Sequence, residues 1–285
     1  MGDAKNIIVK PISSQDANKI IKALHYSGKV VNNSQLHLGV FFNGRCGGAM
    51  QFGPSLDKRK IVGLVEGTLW NEFLELNRLA FADWLPRNGE SRAIAYAIRF
   101  IKKTYPWMKW IISFADGTQC GDGTIYRASG FYLTGLKVNT QVWAAPDGSA
   151  HSRTALTENH SPGSKARAQA TISRTTATKG GNNFATGAAS MKAYEAAGFK
   201  PLPGFQLRYI YFLDPTAKDR LTVPILPFSE IERRGAGMYK GIKRDKQAIG
   251  GDQCVTSIDS DAPGDQLGER GASPTVTLQE IKEGV

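Results

Sequence analysis

Trp110–Phe131 reads WIISFADGTQCGDGTIYRASGF, and its reading decides the fold. Trp110 to Phe114 is a short apolar run of strand length. Gly117, Gly121 and Gly123 then mark a turn. Thr124 to Ser129 suits a short helix, Gly130 its C-cap, and Phe131 to Leu136 the next strand. Working toward the N-terminus, Pro106 ends a helix over Ser91 to Lys103, whose Ile94, Ala97, Ile98 and Ile101 repeat at helical spacing. A loop, Leu85 to Glu90, separates it from Phe73 to Phe81, where large apolar residues alternate with Glu75, Asn77 and Ala80 as in a strand.

Further back, Leu36 to Phe42 and Cys46 to Phe52 flank Asn43-Gly44, a two-residue hairpin turn whose positions need positive φ. Ile7 to Ile12 predicts a first strand. Ser13 to Asp16 supply helix caps, and Ile20, Ile21 and Leu24 form an apolar stripe. Toward the C-terminus the pattern breaks. His151 to Asn183 holds ten Ser or Thr, five Lys or Arg and one acid. This predicts a basic insertion, about 146–187, with little core of its own. A helix follows over Ala188 to Ala197, then a last strand over Gln206 to Asp214. The expected class is α/β (α+β): a mixed, mostly antiparallel sheet flanked by helices, with the insertion before its last strand.

Charge gives the partner class. The 285 residues carry 36 Lys or Arg and 25 Asp or Glu, a net +11. Residues 247–285 hold 2 basic and 7 acidic residues and are rich in Gly, Ser and Asp, the composition of a disordered tail. That leaves 34 basic and 18 acidic residues, a net +16, on a body of 1–246. Such a body expects a polyanion, nucleic acid first. No apolar run reaches the roughly 20 residues of a membrane helix. MGDAKNIIVKPI lacks a signal peptide's apolar stretch. Three scattered cysteines, Cys46, Cys120 and Cys254, form neither a disulfide framework nor a zinc spacing, so a reducing cytoplasm is expected.

The element order resembles that of the GNAT acyltransferases, whose short helix reads roughly LYxxxGF; here Thr124 to Phe131 reads TIYRASGF. The segments HYSGKVV, LHLGVF, QFGPSLDKRK, FLELNRLAF, LPRNGESRAI, KWIISFADGTQCGDGTIYRASGF, LPGFQLRYIYFLD and RRGAGMYKG together resemble the Mom family of bacteriophage Mu and its relatives, from about Leu24 to Lys240. The resemblance implies a phage enzyme that converts adenine in DNA to N6-carbamoylmethyladenine in the host cytoplasm and so protects the DNA from restriction endonucleases.

That chemistry needs an extruded or single-stranded base, a proton acceptor and groups that stabilise negative charge. Asp116 closes a strand, where catalytic groups gather in α/β sheets; it also suits an Asp-Gly turn. Tyr126 holds the tyrosine position of LYxxxGF, which by the resemblance protonates a leaving thiolate; it also suits packing on the sheet. Arg78 sits inside an apolar strand and needs an anion: a phosphate, a donor carbonyl, Asp116, or a structural partner in Glu75 or Asp83. Tyr26, at the end of the first helix, lines a base pocket or packs the helix end. Arg87, Asn88, Gly89 and Ser91 stand where the GNAT phosphate loop falls, for acetyl-CoA or another acyl donor. One glycine and an acid, Glu90, make that match imperfect. An aminoacyl donor is the variant. His25, His37 and an aspartate would suit Fe(II), which the resemblance associates with the family, but no spacing demands a metal.

Lys58, Arg59 and Lys60, with Arg153, Lys165, Arg167, Arg174 and Lys179 of the insertion, are expected at DNA phosphates, and Arg233-Arg234 form a third candidate cluster. Two other readings stand beside this one. One is a coenzyme A-dependent N-acyltransferase on a protein or small amine. The other is a catalytically inactive GNAT-like DNA-binding module.

Overall fold

The computed structural model describes residues 3–153, 156, 191–239 and 242–243. In chain order the elements are β1 (Ile8–Pro11), α1 (Ser14–Leu24), β2 (Leu36–Phe42), β3 (Arg45–Gly53), α2 (Lys58–Val62), β4 (Phe73–Phe81), α3 (Gly89–Thr104), β5 (Trp110–Asp116), α4 (Thr124–Ala128), β6 (Tyr132–Val138), β7 (Val142–Ala144), β8 (Ala150–Ser152), α5 (Met191–Ala196), β9 (Lys200–Pro201), β10 (Phe205–Phe212), α6 (Ser229–Arg233), β11 (Met238–Tyr239) and β12 (Ile242–Lys243). They form two compact units. One takes residues 3–58 and 74–108; the other takes 59–73 and the described part of 109–243.

In the first unit β1, β2, β3 and β4 pair in that order, all antiparallel. The β2–β3 turn is the Asn43-Gly44 pair, with φ of 51° and 79°. Ser13 caps α1 by accepting from the Asp16 amide at 3.0 Å. The apolar stripe of α1 buries Ala17 and Ile21 against Ala49 and Ala80 of the sheet. Ile21 is fully buried, worth about 2 kcal/mol against leaving it in water. The expected stripe of α3 (Ile94, Ala97, Ile98 and Ile101) is buried as well, with Ala93 beside it.

One irregularity in β4 governs the chemistry of this unit. Gln51 pairs with Arg78, yet the next residue, Phe52, pairs with Leu76. Asn77 is therefore an extra residue, a β-bulge. Without it Glu75 and Arg78 would point to opposite faces. With it, both fall on the face that carries Gln51.

In the second unit the order is β5, β10, β6, again antiparallel throughout. Its core gathers Leu64, Val65, Phe73, Trp110, Ile112, Ile210, Phe212 and Ala217. Phe73 and Trp110 stack with ring centroids 4.5 Å apart, and the Trp110 indole N–H donates to Thr68 Oγ1 at 3.1 Å. A smaller sheet, β8-β7-β9, has its own cluster of Trp143, Ala145, Leu156, Tyr194 and Phe199. Of these, Leu156 alone falls within the segment expected to have little core of its own.

The helix expected from Ser91 starts two residues earlier, at Gly89, because Asn88 takes a left-handed conformation (φ 64°) and begins the helix without a side-chain cap. The Lys58-Arg59-Lys60 cluster is the first turn of α2, a short helix that buries none of its residues.

Candidate functional site

Asp116 is the last residue of β5. Its Oδ1 accepts from the Thr118 amide at 2.9 Å, from the Thr118 hydroxyl, and from Gln206 Nε2 at 3.1 Å. Its Oδ2 accepts from Gln119 Nε2 at 3.1 Å. Gln206 reaches it because the two residues are cross-strand partners. The turn expected of Asp-Gly is present, since the Asp116 carbonyl accepts from the amides of Cys120 and Gly121. The carboxylate is half-buried and held in one orientation by neutral donors. Oδ1 is saturated, whereas Oδ2 keeps acceptor capacity.

Six positions on, Asp122 is 2% exposed. Its Oδ1 lies 3.0 Å from Arg127 Nη2 and accepts from the Thr124 hydroxyl at 2.9 Å. Its backbone carbonyl accepts from the Tyr209 hydroxyl. Tyr209 is fully buried, and burial pushes its phenol far above the ordinary tyrosine range. The turn reaches α4 through Gly123, at φ 79°. A Cβ there would come within 2.5 Å of the Tyr209 ring, so only glycine fits. Tyr126, on α4, is buried between Phe131 (5.5 Å between ring centroids) and Tyr209 (5.3 Å).

Arg78 and Tyr26 belong to the other unit. Arg78 Nε donates to the Lys29 carbonyl at 3.0 Å and Nη1 to the Asn77 carbonyl at 2.7 Å. Burial lowers its pKa, and the nearby Tyr26 and Glu75 oppose that. The expected ion pair with Glu75 or Asp83 is not formed; backbone carbonyls hold the guanidinium instead. Arg78 thus has neutral hydrogen-bond partners and lies near Tyr26, which is 47% exposed. His25, whose ring lies 4.3 Å from that of Tyr26, is pushed down to about 4 by burial and then by Arg78. Its Nδ1 accepts from the Ser27 amide at 3.2 Å.

Alongside Arg78 in register stand Gln51 and, across β2, His37. Gln51 is fully buried. Its Nε2 donates to Asn18 Oδ1 at 2.9 Å and lies 3.3 Å from His37 Nδ1, while its Oε1 has no donor among the described residues. A row of polar side chains therefore runs across three strands on the face that α1 covers. Nothing in the periodicity of three separate strands announces that row.

At the start of α3, Gly89 N donates to the Pro86 carbonyl and Arg92 N to the Asn88 carbonyl. The amides of Glu90 and Ser91 have no acceptor among the described residues, so the first turn offers two donors to an anion. Ser91 Oγ turns back to the Asn88 carbonyl at 3.2 Å, and Arg87 is exposed. Glu90 opposes an anion here. Desolvation and the neighbouring Asp83 raise its pKa.

Lys58 is half-buried, with its pKa lowered by burial; Arg59, Lys60 and Arg153 are exposed. Lys165, Arg167, Arg174 and Lys179 lie outside the described residues, as does the 247–285 tail. Arg233 and Arg234 clamp Glu230 at 2.5 and 2.6 Å, which spends part of that cluster's charge locally. Among the described residues no three His, Cys, Asp or Glu side chains come together as a cation site. Ser27 and Gln51 already engage the Nδ1 atoms of His25 and His37. The described residues do not fit the iron expectation. No helix among them is long and apolar enough to cross a membrane.

The fold and this site define an α/β protein with antiparallel strands, flanking helices and a carboxylate fixed at a strand end. The chain belongs to the Mom protein family, whose model matches residues 6–230. It is 42% identical over 138 residues to the methylcarbamoylase mom of Escherichia phage Mu, a match covering 48% of this chain and 57% of that protein. Similar solved structures include the spermidine/spermine N-acetyltransferase of Vibrio cholerae, with a TM-score of 0.38 and 8% identity over 76% of this chain and 98% of that one. Another is the ribosomal-protein-S18-alanine N-acetyltransferase of Escherichia coli, with a TM-score of 0.37 and 9% identity over 73% and 94%.

Proposed function

We propose that this chain is a phage DNA modification enzyme, a transferase that converts adenine in DNA to N6-carbamoylmethyladenine and so shields the DNA from host restriction endonucleases. Membership of the Mom family and the relative's name support the class. The observation that carries the reading is the Asp116 carboxylate, oriented by Thr118, Gln119 and Gln206 with no ion-pair partner among the described residues. The N6 amine of adenine is a weak nucleophile because its lone pair is delocalised into the ring. As N6 attacks, a bond forms to the carbamoylmethyl carbon of an activated donor. The donor's leaving group departs with the bonding pair, and the N6 proton passes to Asp116 Oδ2.

Arg78 and Tyr26, which lie near each other, are assigned to the donor or the base through charge and ring contact. Tyr126 is assigned as the general acid for the leaving group. Attack of N6 on the thioester of acetyl-CoA itself would leave an N6-acetyl amide, so a coenzyme A donor serves this step only if its transferred carbon already bears the carboxamide and the leaving group; its pyrophosphate would lie on the open amides of Glu90 and Ser91 and beside Arg87, Asn88 and Gly89. The Glu90 carboxylate weakens that fit, so an aminoacyl donor remains the alternative chemistry. Lys58, Arg59, Lys60 and Arg153, with the basic residues of the insertion, are assigned to DNA phosphates. The proposed place of action is the host cytoplasm.

The test is mass spectrometry of nucleosides from plasmid DNA after expression of the native chain and of Asp116→Ala. An adenine nucleoside heavier by about 57 Da, the mass of a carbamoylmethyl group replacing hydrogen on an extruded base, is expected with the native chain only. Its absence from cells holding folded native chain would sink the reading. Salt-dependent DNA binding without any product would favour the inactive binding module instead.

A further inference from the structure

In β5 every residue from Trp110 to Ala115 is buried except Phe114, which is 40% exposed. It lies two positions before Asp116, and strand periodicity puts both side chains on one face. Its cross-strand partner is Arg208, whose own partner on β6 is Gly135. The next row along the face is Asp116, Gln206 and Lys137. Arg208 is half-buried and fixed. Its Nε donates to Thr134 Oγ1 at 3.1 Å and its Nη2 to the Thr134 carbonyl at 2.7 Å. The guanidinium lies flat over Gly135, where a Cβ would stand 3.3 Å from Cζ, Nε and Nη2. Nη1 makes no bond among the described residues. This face of the second unit thus combines an exposed aromatic ring, an immobilised guanidinium and a fixed carboxylate.

We propose that Phe114 and Arg208 form the cradle for the target nucleotide, with the extruded adenine stacked on Phe114 and its phosphate held by Arg208, so that N6 falls beside Asp116. The assignment rests on the adenine chemistry proposed above. A water-facing aromatic in an otherwise buried strand is what base stacking requires, because every base has an apolar face and an extruded base has lost its neighbours. The guanidinium suits a phosphate by its planar fork and its permanent charge. The adjoining Lys137, exposed at the strand end, extends the positive edge along the nucleotide backbone.

The test compares the native chain with Phe114→Leu, Phe114→Ala and Phe114→Tyr in the plasmid nucleoside assay. It adds the fluorescence of a single-stranded oligonucleotide carrying one 2-aminopurine, with unfolding midpoints as the control for folding. Loss of the ring is expected to lower the modified fraction about tenfold or more, the scale of one lost base stack, while Phe114→Tyr keeps it. Quenching of 2-aminopurine by the native chain should vanish in Phe114→Leu, which keeps apolar bulk and so reports stacking rather than packing. Native levels of product in Phe114→Leu, with quenching intact, overturn the cradle and leave the proposed function standing. No product from the native chain overturns the function itself. Quenching that is lost only with the ring then still establishes the cradle as a nucleobase site, and quenching unchanged in Phe114→Leu overturns that too.

Discussion

Asp116 and Asp122 sit at the two ends of one glycine-rich turn, and the fold treats them in opposite ways. Asp122 is removed from water and neutralised by Arg127, and it also accepts from the Thr124 hydroxyl. Asp116 stays half-buried, and its donors among the described residues are all neutral. A paired buried carboxylate stabilises structure and has no charge to offer a substrate. A carboxylate oriented by amides and a hydroxyl keeps its charge, and an oxygen with spare capacity, at a defined place. The difference separates a residue that builds the turn from one that, under the proposed function, the turn presents to the substrate. Arg78, in the other unit, is treated much as Asp116 is: two backbone carbonyls fix it, and among the described residues no carboxylate bonds to it, Glu75 acting only through its field.

The largest effect is expected where the pair is broken. Asp122→Ala leaves the Arg127 guanidinium without its counter-charge, and Arg127 Nε already lacks an acceptor among the described residues. Removing one partner of a buried pair costs about 3–5 kcal/mol. Chemical denaturation should show a loss near the lower end, since the Arg127 side chain keeps 22% of its exposure. Activity should fall only in proportion to the unfolded fraction.

At the other end of the turn the signature reverses. Asp116→Asn keeps the shape and one acceptor oxygen, so stability should move by less than about 1 kcal/mol. The modified fraction of adenine should fall about a hundredfold, the usual worth of a positioned base. Equal loss of stability in the two variants would erase the distinction between the aspartates.

Between the two lies Gly123. Gly123→Ala forces a side chain into a left-handed backbone and drives its Cβ toward the Tyr209 ring. Strain and overpacking together should cost about 2 kcal/mol in thermal or chemical unfolding. Tyr126 packs on the same ring, so this variant should also lower activity. Tyr126→Phe removes only the hydroxyl and tests the acid role with the packing kept.

The strand-end place of Asp116 was legible in the sequence, and the buried pairing of Asp122 was not. Asp116 ends an apolar run and precedes glycine, a pattern that marks a strand end. Asp122 reads as one more polar residue of a loop, and its meaning depends on Arg127 and on Tyr209, far along the chain. The only signal was the spacing from Asp122 to an arginine on the following helix. The same contrast holds for the fold. Leu36–Phe42 and Phe73–Phe81 were readable to the residue, because burial on one or both faces writes itself into apolar pattern. The helix over Lys58–Val62 is five residues with three cations and no stripe, and β7, β8 and β9 have two or three residues each. Such elements exist through tertiary contact, so local pattern cannot report them. The bulge at Asn77 belongs to this group, and it is what turns Glu75 and Arg78 onto one face.

The smallest effect follows from leaving Arg78 unneutralised. His25 sits in a partly buried position near that positive charge, and its pKa drops from 6.5 to about 4. The folded state therefore binds a proton less readily than the unfolded chain. The stability this contributes is complete above about pH 6.5 and is lost as pH falls toward 4. Allowing for solvent around a half-buried ring, the loss should be about 1 kcal/mol at pH 5. His25→Gln should flatten that part of the profile. Arg78→Gln should raise the His25 pKa measured by NMR titration, but only in part, because burial is the larger cause. An unchanged His25 titration in Arg78→Gln would mean that backbone carbonyls already quench the guanidinium's field. Arg78 would then resemble Asp122 rather than Asp116: a charge that has been spent on structure.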